Sequence, residues 1–254
     1  MTYELMGKQV KFYEKRNMKA IILAGGRGTR LAPYTYVLPK PMMPIGDRAI
    51  LEILLRQMKR AGINQVVLTV GHLAGLMQAF FQDGQQFDLD ITYSFEPKPL
   101  GTAGPLALVP DLDNTFLVSN GDVLTLLDIN DFSEFHHQHG GICTIATHER
   151  KHYVDLGVIE QNDDDFAITG YIEKPTLDYK VSMGLYIFEP EVLQYIPKDE
   201  YLDFPDLVLK LIEAGEHVIG YPYTGYWMDL GNPEDYTQAT NDFNKMRNQF
   251  LPGI

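Results

Sequence analysis

The 254-residue sequence contains one cysteine, Cys143, which excludes an internal disulfide framework and a cysteine-based zinc cluster. It contains no long basic run, and its formal net charge of −13 should repel nucleic acid and anionic membranes. No apolar run approaches membrane-spanning length, and the first residues lack the apolar core of a signal peptide. These absences predict a cytoplasmic protein that binds neither nucleic acid nor a membrane.

The sequence does contain alternating apolar runs of two kinds. Compact runs predict strands at residues 18–23, 66–70, 91–95, 116–119, 142–147 and 181–188. Apolar residues at helical spacing predict helices at residues 50–58, 73–81, 129–139, 191–195 and 206–214. Strands and helices that alternate in this way predict an α/β fold, with a mostly parallel sheet covered on both faces.

The character of the chain changes after about residue 148. Residues 157–160 and 168–172 flank a polar turn, which predicts a hairpin, and Asn232-Pro233 is a typical helix start. We therefore divide the predicted domain, residues 18–250, into a doubly wound half at 18–147 and a mixed lobe at 148–250. Residues 1–17 show no clear period and are interpreted as an irregular N-terminal extension.

A glycine-rich segment, L-A-G-G-R-G-T-R-L at residues 23–31, directly follows the first predicted strand. Clustered glycines let a backbone wrap around phosphates, and Arg27 and Arg30 add cations that can hold a triphosphate. The segment lacks the Gly-Lys-Ser/Thr ending of a Walker loop, and Leu31 breaks the dinucleotide spacing, which disfavours an NAD-dependent oxidoreductase. The alternative is a glycine turn with solvated arginines.

Two lysines stand next to prolines. Lys40 lies between Pro39 and Pro41, and Lys174 lies between Glu173 and Pro175. Because proline fixes the local backbone, each lysine is expected to project from a stiff segment, as a phosphate-binding lysine needs. Pro-Lys-Pro also occurs in ordinary loops. For each segment taken alone, an ordinary loop without a phosphate-binding role therefore remains the alternative.

Two aspartates are candidates for a magnesium site. Asp122 follows a predicted strand, at the strand end where ligands bind in open α/β sheets, and Asp229 follows the aromatic run at residues 226–228. Two carboxylates from distant positions suit Mg²⁺, which keeps several waters and takes its other ligands from substrate phosphates. The alternative for each aspartate is a cap or turn residue.

Together these segments resemble the sugar-1-phosphate nucleotidyltransferase family, and most closely the catalytic domain of mannose-1-phosphate guanylyltransferases. The matching segments, spanning residues 18 to about 240, are residues 23–31, Pro39-Lys40-Pro41 continuing to residue 46, P-L-G-T-A-G-P-L at 99–106, Asn120-Gly121-Asp122, Glu173-Lys174-Pro175 and W-M-D-L-G at 227–231. The resemblance implies a Rossmann-like, doubly wound mixed sheet whose first half binds the nucleotide and whose C-terminal lobe binds the sugar phosphate.

The resemblance also implies roles for individual residues. Arg30, Lys40 and Lys174 would be catalytic, and Asp122 and Asp229 would hold Mg²⁺. The nucleotide would be bound by Leu23, Ala24, Gly25, Gly26, Gly28, Thr29, Glu96, Gly101, Thr102, Asn120 and Gly121. The sugar phosphate would be bound by Gly157, Glu173, Ser182 and Gly184.

The resemblance places the loop that follows Glu96 against the nucleobase. A carboxylate accepts hydrogen bonds only, and guanine offers two adjacent donors, so that Glu96 predicts GTP; the alternative is that Glu96 accepts from loop amides. Leu156 and Ser182 stand where the family usually has Tyr and Asn, which leaves the sugar open although mannose 1-phosphate is favoured.

The expected partners are thus a nucleoside triphosphate and a sugar 1-phosphate, and a homo-oligomer is compatible with the sequence. Two other hypotheses stay open: an inactive nucleotide-sugar-binding regulatory subunit, and the same chemistry with dTTP or UTP and glucose 1-phosphate.

Overall fold

The computed structural model describes residues 18–253, so that the predicted extension at residues 1–17 lies outside the described residues. The strands are β1 (Lys19–Leu23), β2 (Pro44–Ile45), β3 (Arg48–Ala49), β4 (Gln65–Val70), β5 (Asp90–Phe95), β6 (Phe116–Asn120), β7 (Val123–Thr125), β8 (Cys143–Tyr153), β9 (Val158–Gln161), β10 (Ile168–Ile172), β11 (Thr176–Phe188), β12 (Val218–Tyr223) and β13 (Trp227–Asp229). The α-helices are α1 (Ile50–Arg60), α2 (Ala74–Phe81), α3 (Ile129–His139), α4 (Phe204–Glu213) and α5 (Pro233–Phe250).

Seven strands form the central sheet, in the order β12-β8-β11-β6-β1-β4-β5. Strand β11 is antiparallel to both of its neighbours, and every other pairing in this sheet is parallel. Parallel strands need crossover connections, which the helices between them supply. The predicted α/β fold with a mostly parallel sheet is confirmed.

The apolar core lies on both faces of this sheet. In β1, Ala20 and Ile22 face a layer that includes α1, α2 and α3, whereas Ile21 faces the opposite layer with α4. All three side chains are fully buried, as expected for a central strand covered on two sides. This burial fixes the register of β1 and hence the position of the glycine-rich segment that follows it.

A third apolar cluster joins helix α5 to the segment after β1. Phe243 and Phe250 of α5 share this cluster with Leu31 and Ile45. The helix begins as predicted, because the Asn232 side chain accepts a hydrogen bond of 2.9 Å from the amide of Asp235. The C-terminal helix therefore packs against the end of the glycine-rich segment, at Leu31.

Strands from both predicted halves join one sheet. Strand β8 passes through residue 148, and its outer part pairs with the first residues of β11 as a two-stranded ribbon. The predicted hairpin is confirmed as β9 and β10, which are antiparallel. The expected helix at 191–195 is a 3₁₀ helix (Pro190–Tyr195), and β12 is an edge strand that the sequence pattern did not predict. Within residues 18–253, no helix is long and apolar enough to cross a membrane.

Candidate active site

Two adjacent cavities open at the carboxyl ends of β1, β4 and β6. The larger has a volume of about 650 Å³ and the smaller about 260 Å³. Leu23, Gly26 and Asp122 line both cavities, so the two form one continuous site. Ligands in α/β folds bind at this end of the sheet, where strand order lets neighbouring loops diverge.

The glycine-rich segment wraps the boundary between the cavities. Gly28 has a φ of +61°, a left-handed conformation that favours glycine, and its carbonyl accepts hydrogen bonds of 2.9 Å from the Leu31 amide and the Thr35 hydroxyl. Ala24, Thr29 and Arg30 line the smaller cavity. The loop is thus held by its own backbone while Arg30 stands at the cavity wall.

Lys40 is buried, although it is a lysine in a loop. It opens a 3₁₀ helix (Lys40–Met42), and its side chain is only 11% exposed. Its ammonium group forms an ion pair with Asp122, and both residues line the smaller cavity. Because the cation is already positioned and partly desolvated, it can interact strongly with an anion that enters this cavity.

Asp229 is brought to Asp122 by pairing between β13 and β7. The amide of Leu230 donates to the carbonyl of Asp122 over 3.2 Å, which fixes the two chain segments side by side. Burial raises the pKa of Asp229, the nearby Asp122 carboxylate raises it further, and Lys40 and Arg30 oppose both effects. Two carboxylates, one lysine and one arginine therefore meet at a single point.

This donor set fits a hard divalent cation. The described part of the chain contains no cluster of three or more His, Cys, Asp or Glu side chains arranged to hold a metal. A pair of carboxylates suits Mg²⁺, which completes its coordination with water and phosphate oxygens. Lys40 and Arg30 offset the negative charge of Asp122 and Asp229 only in part, so the pair attracts such an ion.

Asn120 and Gly121 connect the site to strand β11. The amide of Gly121 donates to the Leu23 carbonyl over 3.0 Å, and Asn120 lines the larger cavity. Gly184 lies in a bulge of β11 with a φ of +74°, where any Cβ would collide with the Asn120 side chain. Ser182 accepts a hydrogen bond of 3.3 Å from the Gly184 amide. The predicted residues of β11, Ser182 and Gly184, are thus adjacent to a residue that lines the larger cavity.

Glu96 lines the larger cavity opposite the glycine-rich segment. One carboxylate oxygen accepts a hydrogen bond of 3.2 Å from the Leu100 amide, and a Cβ on Gly25 would collide with the other oxygen. Burial raises the pKa of Glu96, and the Leu100 bond opposes that shift. Gly101 and Thr102 line the same cavity. Glu96 therefore lies in the cavity wall. It also accepts one hydrogen bond from a loop amide, as expected if its role is only to hold the loop.

Three predicted residues lie apart from both cavities. Lys174 is 48% exposed and pairs with Asp155 over 2.7 Å, and Glu173 accepts a hydrogen bond of 3.2 Å from the Tyr171 hydroxyl. Gly157 lies against the same tyrosine, which leaves no room for a Cβ. All three belong to the region around the β9–β10 hairpin, so the structure groups them with one another and not with Asp122 or Lys40.

Several residues that line the larger cavity were not among those predicted from the sequence. Thr69 and His72 come from the end of β4, and Tyr201 and Asp203 precede α4. The end of β4 could have been found, because neighbouring parallel strands end at the same edge of a sheet. The segment before α4 has no such local signal.

The fold and this site define an α/β protein whose glycine-rich loop, paired carboxylates and buried lysine meet at the carboxyl ends of parallel strands. The chain belongs to the nucleotidyl transferase family, whose model matches residues 19–246. This match and the curated relatives confirm the resemblance to the sugar-1-phosphate nucleotidyltransferases.

Two curated relatives and one solved structure illustrate the family. A UTP–glucose-1-phosphate uridylyltransferase of Synechocystis is 37% identical over 93% of this chain and 66% of the relative. A mannose-1-phosphate guanylyltransferase catalytic subunit beta of Dictyostelium discoideum is 34% identical over 86% of this chain and 62% of the relative. The crystal structure of HddC from Yersinia pseudotuberculosis, complexed with GMP-PN, is 25% identical with a TM-score of 0.68, covering 89% of this chain and 99% of that one. The chain spans about two thirds or less of the length of these two curated relatives.

Proposed function

We propose that this chain transfers a nucleoside monophosphate from a nucleoside triphosphate to a sugar 1-phosphate and releases pyrophosphate. The observation that supports this most directly is the meeting of Arg30, Lys40, Asp122 and Asp229 between two cavities of a chain whose net charge is −13. Removing a lysine from water costs free energy, so a lysine buried at a glycine-rich loop of an acidic protein indicates a role beyond the fold. Such a cation is useful where two anionic substrates must be brought together.

The reaction is an in-line displacement at the α-phosphorus. A phosphate oxygen of the sugar 1-phosphate forms the new P–O bond, and the bond to the bridging oxygen of the triphosphate breaks, so that pyrophosphate leaves with its electron pair. No covalent enzyme intermediate is needed. The loop amides and Arg30 would hold the triphosphate, and Lys40 would neutralise oxygen charge as the two phosphates approach.

Mg²⁺ is the proposed cofactor, held by Asp122 and Asp229. When bound, the ion would offset the charge of the phosphate oxygens and help to orient them. In this structure the Lys40 ammonium forms an ion pair with Asp122, so one carboxylate of the proposed metal pair already faces a cation.

Lys174 is proposed to bind the sugar phosphate, although its ammonium contacts Asp155 in this structure. Both partners are largely exposed, and an exposed ion pair contributes only about 0–1 kcal/mol. A phosphate dianion can therefore displace Asp155 at little cost. Glu173, the neighbouring carboxylate, is proposed to accept hydrogen bonds from sugar hydroxyls.

GTP and mannose 1-phosphate are the proposed substrates. Glu96 stands in the wall of the larger cavity, where its remaining acceptor capacity matches the two adjacent donors of guanine. The guanylyltransferase of Dictyostelium discoideum and the GMP-PN complex of HddC support guanine. The uridylyltransferase of Synechocystis supports the alternative, UTP or dTTP with glucose 1-phosphate.

A matrix of nucleoside triphosphates against sugar 1-phosphates, read by product mass and pyrophosphate release, tests these proposals. We expect a nucleotide-sugar in the presence of Mg²⁺, with GTP used at least about tenfold better than UTP or dTTP. Nucleotide-sugar binding without pyrophosphate release from any pair would instead identify an inactive regulatory subunit. An Asp229→Asn chain, in which the side-chain volume is kept and the charge removed, is the matched control.

A further inference from the structure

The loop at residues 100–104 is held along its length by residues 200–204, a segment about a hundred residues later in the chain that leads into the first residue of α4. The Leu202 amide donates to the Leu100 carbonyl over 2.9 Å. In return, the Leu202 carbonyl accepts from the amides of Ala103 and Gly104 over 2.9 and 3.0 Å. These three backbone bonds make residues 200–204 a docking strip for the loop.

The two glycines of this loop permit the close approach. Gly101 has a φ of +81°, and a Cβ built on it would lie 2.5 Å from the Leu202 carbonyl oxygen. A Cβ on Gly104 would lie 2.9 Å from the carbonyl oxygen of Glu200. Both distances are too short for any real side chain, so glycine at these positions serves the contact with residues 200–204.

Side chains complete the attachment. Asp203 accepts hydrogen bonds from the amide and the hydroxyl of Thr102 over 2.9 and 3.1 Å, and the same hydroxyl accepts 2.8 Å from the Phe204 amide. The second oxygen of Asp203 accepts 2.7 Å from the Tyr201 hydroxyl. One carboxylate thus ties Thr102 and Tyr201 together, and Thr102 has no free backbone donor left.

Two side chains of residues 200–204 face the larger cavity. Tyr201 and Asp203 line it together with Glu96, and the tyrosine is 63% exposed. An aromatic side chain in the wall of a cavity that binds a nucleoside is suited to stack against the base. The Asp203 carboxylate accepts from three donors, and the two that belong to Thr102 stay in place only as long as the loop stays docked.

We propose that Tyr201 and Asp203 form a clamp that fixes residues 100–104 against the nucleobase, with Asp203 as a positioning residue and Tyr201 as a wall of the base pocket. This inference rests on the proposed function, since it assigns the larger cavity to a nucleoside. Because the clamp already holds the loop in place, the loop loses less conformational entropy when the nucleotide binds. The clamp also fixes the distance between the loop amides and Glu96. It acts on nucleotide affinity and base choice and not on the phosphate chemistry.

The test compares Asp203→Asn, Tyr201→Phe and Tyr201→Leu with Asp206→Asn, a control that removes the same charge from an exposed position in α4. Binding of GTP and UTP is measured by calorimetry without the sugar phosphate, and KM and kcat are measured for both substrates. We expect Asp203→Asn to weaken GTP about tenfold, to reduce the ratio of GTP to UTP affinity, and to leave the KM for the sugar 1-phosphate unchanged. Tyr201→Phe should show a smaller loss than Tyr201→Leu, and Asp206→Asn none.

Each outcome decides between the two levels of inference. A wild-type chain that binds no nucleoside triphosphate overturns the proposed function and this clamp with it. A wild-type chain that binds GTP, combined with an Asp203→Asn chain that binds it equally well, overturns the clamp alone. If Asp203→Asn weakens the binding of GTP and of the sugar 1-phosphate equally and also lowers the melting temperature, the role of Asp203 is purely structural and the clamp is overturned. If Asp203→Asn does not fold, unchanged base preference in Tyr201→Leu overturns the assignment of the pocket wall.

Discussion

Replacing Lys40 by methionine should affect stability and turnover through the same contact. The Lys40 and Asp122 side chains are 11% and 21% exposed, so the substitution leaves a mostly buried carboxylate without its cation and close to Asp229. Removal of one partner from a fully buried ion pair costs about 3–5 kcal/mol. Because this pair keeps some contact with water, we expect the free energy of unfolding to fall by about 2–3 kcal/mol.

Urea unfolding of a double-mutant cycle measures this contribution. The Lys40→Met/Asp122→Asn chain should be more stable than Lys40→Met alone, because no unpaired charge remains; the coupling between the two sites should be about 1–3 kcal/mol. Lys245→Met is the matched control, since that lysine is 74% exposed and lies 4.0 Å from its partner Asp242. A double variant no more stable than Lys40→Met would refute the stability argument.

Turnover should respond differently from stability. Loss of a preorganised cation at a developing phosphate charge typically lowers kcat by about 10²–10³-fold, and we expect Lys40→Met to fall in this range. Pyrophosphate release at saturating substrates measures it. Turnover within about threefold of the wild type would refute the role of Lys40 on the transferring phosphates, even if the stability result were as expected.

Three further predictions follow from other contacts. Asp229→Asn should lower turnover by about two orders of magnitude and raise the Mg²⁺ requirement; a near-normal rate at limiting Mg²⁺ would contradict the metal assignment. Glu96→Gln should weaken GTP about tenfold and UTP less, and a wild-type preference for UTP or dTTP would exclude the guanine hypothesis. The hydrogen bond from His136 lowers the pKa of Glu189 from its ordinary 4.5, although burial opposes the shift. The ionised carboxylate therefore stabilises the folded chain above pH 4.5, and this stabilisation is lost as the pH falls through the lowered pKa. Glu189→Gln should therefore cost about 1 kcal/mol in urea unfolding at pH 7, with a difference that shrinks as the pH falls below 4.5; a pH-independent difference would count against this assignment.

The centre of the fold could be predicted because its strands follow the rules for buried parallel strands. Strand β1 is continuously apolar from Ala20 to Leu23 and ends at glycines, which is sufficient to place both the strand and the loop. The edge strand β12 could not be predicted, because Gly220 and Pro222 interrupt its pattern. Proline is tolerated there because an edge strand leaves some backbone groups unpaired.

The candidate site could be predicted where its residues stand in short, contiguous motifs. Arg30 and Asp122 come after predicted strands, Lys40 follows a proline and Asp229 follows an aromatic run. The structure brings these four residues to one place. Asp203 has no comparable local feature, since an aspartate before a helix is most often a cap. Its contact with Thr102 spans 101 positions in the sequence, so that only the folded chain reveals it.

The glycines of the motifs separate into two groups once the structure is known. A Cβ on Gly25 would displace the Glu96 carboxylate, and Gly101 and Gly104 admit the backbone of residues 200–204, so each of these glycines has a reason in the packing of the protein itself. Gly26 differs, because no atom of the described residues lies within 4 Å of a Cβ built there and its φ is not left-handed. Neither packing nor backbone conformation demands glycine at a position that lines both cavities. The remaining physical reason for glycine there is the close approach of a ligand to the backbone, as the proposed binding of a triphosphate by this loop requires.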